Sequence, residues 1–175
     1  NPVSGTTYIG GTLTVTGSTL NNSFYHGITV RQANGTIANL NISNNSFTSS
    51  TVAANSNGSA IDIVPTGSVS TRASITTGTI NNNTIANFPS GAGIQVLGGN
   101  TNAGGGGQRV VIGSSAGSKL TISGNNIAGQ SLANGLGTNA IAFQTNGFAD
   151  SFVDIINNGT GGNPLRFFKG NGILF

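Results

Sequence analysis

Short segments in which apolar and polar residues alternate recur along the chain. In the first of them, residues 13–20, the apolar positions are Leu13, Val15 and Leu20. Four further segments repeat this spacing, the third and fifth less regularly: residues 40–47, 78–85, 120–127 and 153–160. Alternation with a period of two predicts a β-strand that turns one face toward a core.

A second kind of segment lies between copies of the first. Each copy has a small residue followed by two apolar residues that are separated by one other residue. Its leading isoleucines are Ile28, Ile61, Ile94, Ile141 and Ile173, at intervals of 33, 33, 47 and 32 residues. The long interval contains the run Gly104 to Gly107, which we interpret as a loop insertion. A fixed period without helical spacing predicts an all-β solenoid of about five coils, with parallel strands stacked about 4.8 Å apart.

Further features predict the cross-section of each coil. A third short strand is expected before each first segment, around Ile37, Ile75 and residues 109–112, which gives three faces per turn. Asparagines follow the first-segment strands at matching places: Asn44-Asn45, residues 81–83, Asn125-Asn126 and Asn157-Asn158. Asn tolerates the left-handed conformation of a tight corner, and stacked Asn side chains can hydrogen-bond to one another. We expect residues 1–175 to form a single domain.

These repeats resemble those of pectate-lyase-like right-handed parallel β-helix domains, as found in bacterial adhesins and β-strand-repeat surface proteins. The resemblance rests on residues 42–47, 80–85 and 122–127, together with the Gly/Ala-Ile-x-apolar segments, and it covers residues 11–175. It implies a right-handed β-helix in a secreted or cell-surface protein. It implies no single activity, because the same architecture serves lyases, tailspikes and adhesins.

Composition and charge argue against several classes of partner. Six Lys and Arg residues face three Asp residues, for a net charge of +3, and the basic residues are scattered rather than clustered. This distribution does not favour nucleic-acid binding. The chain has no Cys for a disulfide or a thiolate site, and it has no apolar run long enough to insert into a membrane.

The acidic residues are too few for the chemistry of β-helix enzymes. Polysaccharide-cleaving members of such folds need paired carboxylates, or a basic residue beside acid-bound calcium. Asp62, Asp150 and Asp154 are the acidic residues of the chain. Asp62 alternates with core-facing Ile residues and should point outward, roughly 12 Å along the stack from the other two. We therefore predict no enzymatic activity, no catalytic residue, no cofactor and no metal site.

Two sets of residues remain as candidates for contacts with partners. Tyr25, His26 and Arg31 surround the start of a second-segment strand and could contact surface glycans. A second set would form end-to-end contacts between copies: Tyr8, Ile9, Ile173, Leu174 and Phe175. The sequence thus favours a structural or adhesive β-solenoid that stacks into a surface fibre or filament. The alternative is a carbohydrate-binding or carbohydrate-cleaving β-helix, such as a tailspike or lyase fragment.

Overall fold

A computed structural model describes residues 10–49, 58–67, 72–88, 91–99, 109–128, 139–147, 149–159, 165 and 172–175. This part of the chain is all-β, with sixteen strands and no helix. In chain order the strands are β1 Gly11–Thr16, β2 Thr19–Ser23, β3 Ile28–Gln32, β4 Gly35–Ser43, β5 Ser46–Ser49, β6 Ile61–Pro65, β7 Arg72–Asn81, β8 Thr84–Ala86, β9 Ile94–Gly98, β10 Arg109–Ile112, β11 Leu120–Ser123, β12 Asn126–Ala128, β13 Ile141–Thr145, β14 Ala149–Ser151, β15 Val153–Ile156 and β16 Ile173–Leu174.

The strands form three parallel sheets. Sheet A has the order β1-β4-β7-β10-β14, and its strand β7 also pairs with β11, which pairs with β15. Sheet B has the order β2-β5-β8-β12, and sheet C has the order β3-β6-β9-β13-β16. We number the repeats by their strands: repeat 1 is β1–β3, repeat 2 is β4–β6, repeat 3 is β7–β9, repeat 4 is β10–β13 and repeat 5 is β14–β16. Neighbouring strands in each sheet therefore come from successive repeats.

Pairing within the sheets confirms the alignment predicted from the apolar positions. In sheet A, Leu13, Leu40, Gly78, Leu120 and Val153 stand in register. In sheet C, the leading residues Ile28, Ile61, Ile94, Ile141 and Ile173 do the same. The aligned side chains form one core, in which Phe47, Ile42 and Ile80 are completely buried. Burying such a side chain contributes about 1.5–3 kcal/mol.

The prediction of a separate strand before the first segment is confirmed at residues 109–112, which form β10 ahead of β11, and is wrong at Ile37 and Ile75, which lie inside the longer strands β4 and β7. Ile37, Ile75 and Ile112 do pair with one another, but they belong to sheet A. Strand β4 continues from Ile37 to Leu40, and the two residues between these buried side chains interrupt the alternation without ending the strand. The third sheet is sheet B, whose strands β5, β8 and β12 begin directly after Asn45, Asn83 and Asn125.

The corners have left-handed backbone conformations. At the position where sheet A ends, φ is 63° at Gly17, 56° at Asn44, 54° at Asn82, 64° at Gly124 and 55° at Asn157. Gly and Asn adopt this conformation at the lowest cost. The residue that follows each corner is Ser18 in repeat 1 and an asparagine in every later repeat.

These asparagines, Asn45, Asn83, Asn125 and Asn158, form a hydrogen-bonded Asn ladder. The carboxamide Nδ2 of each of the first three donates to Oδ1 of the next, at 3.0, 3.0 and 2.9 Å. The backbone N–H of each donates to the same oxygen at 3.0–3.1 Å. Ser18 begins the series by donating its backbone N–H to Oδ1 of Asn45 at 2.9 Å. The predicted stacking of Asn side chains is confirmed.

Candidate functional site

A polar cluster surrounds Asp62 on the outer side of sheet C. Ile61 and Ile63 point into the core, so Asp62 points away from it, as the alternation predicts. Its side chain is nevertheless only 4% exposed. Asp62 stands in register with Thr29 of the preceding repeat, and this register brings it beside two of the predicted glycan-contact residues, His26 and Arg31.

Two basic side chains approach one oxygen of the Asp62 carboxylate. Nε2 of His26 lies 3.6 Å from Oδ2, and Nη2 of Arg31 lies 3.9 Å from the same atom. The backbone N–H of Ser59 donates to Nδ1 of His26 at 3.1 Å. The same Nδ1 also lies 3.3 Å from the backbone oxygen of Ser59, so Nδ1 has a partner at Ser59 whether it donates or accepts.

The environment of Asp62 disfavours its ionised form. Burial raises the pKa of the Asp62 carboxyl above its ordinary value of 3.8, and the nearby charges of His26 and Arg31 oppose this effect only in part. An ionised Asp62 therefore lowers the stability of the folded protein at neutral pH. Carboxylates held at such a cost are often found at functional sites.

Exposed aromatic side chains adjoin this cluster. The ring of Tyr25 meets that of His26 edge-on, with centroids 4.4 Å apart, and Tyr25 is 51% exposed. Phe24 is exposed as well. The structure therefore brings Tyr25, His26 and Arg31 together, and it adds Asp62, which was not expected to contact them. The interval of 33 residues between Thr29 and Asp62 was the signal that could have found this neighbour.

The other two aspartates lie in a different sheet. Asp150 is in β14 and Asp154 is in β15, both in sheet A, whereas Asp62 is in sheet C. Asp154 binds Nζ of Lys119 through Oδ2 at 2.7 Å. Asp62 is thus not paired with a second carboxylate among the described residues, nor do these residues contain a group of three or more His, Asp or Glu side chains suited to hold a metal.

The predicted end-contact residues are described only in part. Tyr8 and Ile9 lie outside the described residues. Ile173 and Leu174 form β16, which pairs with β13 as the repeat pattern predicts. The ring of Phe175 lies 5.6 Å from that of Phe143. These last three residues are 42%, 40% and 76% exposed, and β16 pairs with β13 alone among the described strands.

Comparison with known proteins leaves the function to be argued from this geometry. The chain matches no family model, no curated protein and no solved structure. Within the described ranges, no helix has the length and apolar character needed to cross a membrane.

Proposed function

We propose that the chain is a right-handed parallel β-helix that acts as a structural or adhesive extracellular rod, one unit of a surface fibre whose units stack end to end. The observation that carries the proposal is the Asn ladder. It links all five repeats, from Ser18 to Asn158, through hydrogen bonds that run from repeat to repeat, buried in the middle and part-buried at both ends.

Such a ladder suits a protein that must be long and stable. Each repeat contacts mainly its neighbours, so a stack can be long without a large central core. Buried carboxamides that are fully hydrogen-bonded fix the register of adjacent repeats, because any slip would leave them without partners. The proposal assigns the described residues no catalytic role.

Stacking between copies would use the exposed edge of sheet C. Strand β16 follows the register of the preceding strands, so the β3 edge of a second copy, which starts at Ile28, could extend the sheet in parallel. This contact would cover the apolar side chains of Ile173, Leu174 and Phe175. A sheet edge that offers unpaired backbone groups favours such an addition.

Electron microscopy together with sedimentation velocity over a range of protein concentrations tests this proposal. We expect rods that lengthen with concentration in whole multiples of one unit. Leu174→Lys should shift the population to monomers, because it places a charge in the contact. The control Thr79→Lys adds the same charge to the exposed outer side of sheet A and should leave assembly unchanged. Wild-type protein that stays monomeric at every concentration would contradict end-to-end stacking.

A second candidate function is glycan binding by Tyr25, His26 and Arg31. It is supported by the exposed ring of Tyr25 and the exposed guanidinium of Arg31 in one cluster, since sugars are commonly bound by stacking and charged hydrogen bonds together. A glycan array tests it: Tyr25→Ala and Arg31→Ala should abolish any signal, and Gln144→Ala, an exposed change elsewhere on sheet C, should not. A reducing-end release assay tests cleavage, and an activity lost in Asp154→Ala would replace the structural proposal by an enzymatic one.

A further inference from the structure

Sheet A is interrupted in repeats 4 and 5, and a cleft lies at the interruption. Strands β4 and β7 are continuous over nine and ten residues. In repeat 4 the chain leaves the sheet after β10 and returns at β11, so residues 113–119 project from the sheet. In repeat 5 only Phe152 separates β14 from β15.

The base of this projection is tightly held. Phe152 donates its N–H to Ile112 O at 2.8 Å and accepts from the N–H of Leu120 at 3.1 Å, so it bridges the two ends of the projecting segment. Gly113 has φ = 75°, and a Cβ at this position would collide with the backbone oxygen of Phe152. Ser114 donates its N–H to Ser118 O at 2.7 Å and closes the turn. The cleft beside Phe152 is therefore preformed.

The cleft has a volume of about 440 Å³, within the range typical of small-molecule sites. Arg72, Ser114, Asp150, Ser151 and Phe152 are among the residues that line it. The Phe152 side chain is 43% exposed, so its ring is accessible from solvent. The lining thus combines an accessible aromatic ring with both signs of charge.

Arg72 and Asp150 face the cleft without forming an ion pair with each other within 4 Å. They are separated by two strand spacings and by two residues along the strands, because Arg72 pairs with Arg109 and Asp150 pairs with Val111. This places their Cα atoms about 12 Å apart. A ligand between them can therefore accept hydrogen bonds from the guanidinium and donate them to the carboxylate.

We propose that this cleft binds a neutral pyranose unit of an oligosaccharide, with the sugar ring stacked on Phe152 and its hydroxyls shared between Arg72 and Asp150. Each hydroxyl both donates and accepts, so adjacent hydroxyls can serve a cation and an anion at once. The weakly positive C–H face of a pyranose complements the negative face of an aromatic ring. The site is separate from the Tyr25 cluster and independent of end-to-end stacking.

Charge and size argue against two other small ligands. An acidic sugar would meet repulsion from the Asp150 carboxylate. An α-amino acid carries its ammonium and carboxylate groups on one carbon, so it can contact both Arg72 and Asp150 only if these two side chains bend toward each other. A neutral ring several atoms wide, with hydroxyls around its edge, can contact both side chains while they stay apart.

Saturation-transfer NMR with cellobiose, lactose and maltose, followed by titration of any disaccharide that binds, tests the proposal. We expect at least one to bind, and Phe152→Ala to weaken binding by about fivefold, the scale of one aromatic contact. Asp150→Asn should weaken it by about tenfold through loss of a charged hydrogen bond. Arg72→Gln supplies a further variant at an exposed position that leaves the Phe152 bridge intact.

Two controls make the result specific. Ile156→Ala removes an apolar side chain of similar exposure from the end of β15, and Tyr25→Ala removes the aromatic ring of the other cluster. Both should bind as the wild type does. The proposal is overturned if none of the three disaccharides binds, if binding is lost in Tyr25→Ala but not in Phe152→Ala, or if free glycine competes with the sugar.

Discussion

The carboxamide of Asn83 donates to that of Asn125 at 3.0 Å, and both side chains are completely buried. Asn83 also donates to Ile42 O at 2.9 Å, and its Oδ1 accepts from both the backbone N–H and Nδ2 of Asn45. All donors and the acceptor of this side chain are thus engaged. Every one of its partners is provided by another repeat, so this side chain holds three repeats together.

Replacing Asn83 by Ala should destabilise the protein strongly. The change removes the acceptor of two buried donors of Asn45, its backbone N–H and one Nδ2–H, and each unpaired donor costs about 1–3 kcal/mol. We expect a loss of at least about 3 kcal/mol in the free energy of unfolding, measured by urea denaturation. The control Asn41→Ala removes one exposed hydrogen bond, to Thr79, and should cost less than about 1 kcal/mol. Similar losses in the two variants would show that the ladder adds little.

At a left-handed corner, substitution by Gly should cost less stability than substitution by Ala. Asn82 has φ = 54°, and Gly124 holds the equivalent corner in the next repeat. Asn82→Gly should therefore change the free energy of unfolding by less than about 0.5 kcal/mol, whereas Asn82→Ala should cost about 1 kcal/mol or more. Thermal unfolding of the two variants side by side measures the difference. A more stable Ala variant would contradict the observed corner geometry.

Two glycines of the projecting segment make a matched pair. Gly113→Ala should cost at least about 2 kcal/mol, because it combines an unfavourable φ with a collision against the Phe152 backbone. Gly117→Ala meets only the Ser115 hydroxyl, at 4.0 Å, and should be almost neutral. Denaturant unfolding compares them directly. Equal losses of stability in the two variants would contradict the close contact between Gly113 and the Phe152 backbone.

Asp62→Asn should stabilise the protein at neutral pH. Because the folded-state pKa of Asp62 is raised, its contribution to stability is fully present below the unfolded value of 3.8 and is lost as pH rises through the raised value. The wild type should thus be less stable than the Asn variant at neutral pH, and the difference should shrink in acid. Urea unfolding at a series of pH values measures this convergence. A variant that is less stable than the wild type at neutral pH would refute it.

Asp154→Asn should destabilise the protein, in contrast to Asp62→Asn. This change removes the half-exposed ion pair with Lys119, so it should lower the stability by at most about 1 kcal/mol. The loss should shrink as salt is added, because the pair is accessible to counterions.

The arrangement of the sheets could be predicted largely from spacing. Ile28, Ile61 and Ile94 follow one another at equal intervals, and a parallel stack places such residues side by side. The Asn corners were predictable for the same reason, since few residue types adopt left-handed backbone conformations. The assignment of Ile37 to a separate face failed, because two extra residues before Leu40 look like a strand end in the sequence.

The surroundings of individual side chains were harder to predict. Alternation places Asp62 outside the core, but it does not reveal that His26 and Arg31 lie against it. The cleft beside Phe152 depends on contacts with Gly113 and Leu120, which are more than thirty residues away along the chain. These contacts depend on where an insertion leaves and rejoins a sheet, and residue periodicity carries no such information.

The Asn ladder also implies an order of opening. Each residue of the ladder bonds only to residues of the adjacent repeats. The outer repeats should therefore open before the middle ones. In hydrogen–deuterium exchange, the backbone amide of Asn83, which donates to Oδ1 of Asn125, should be among the slowest to exchange. The backbone amide of Ser18, the first residue of the ladder, should exchange much sooner. A gradient of protection along one axis would then mark the direction in which the molecule comes apart.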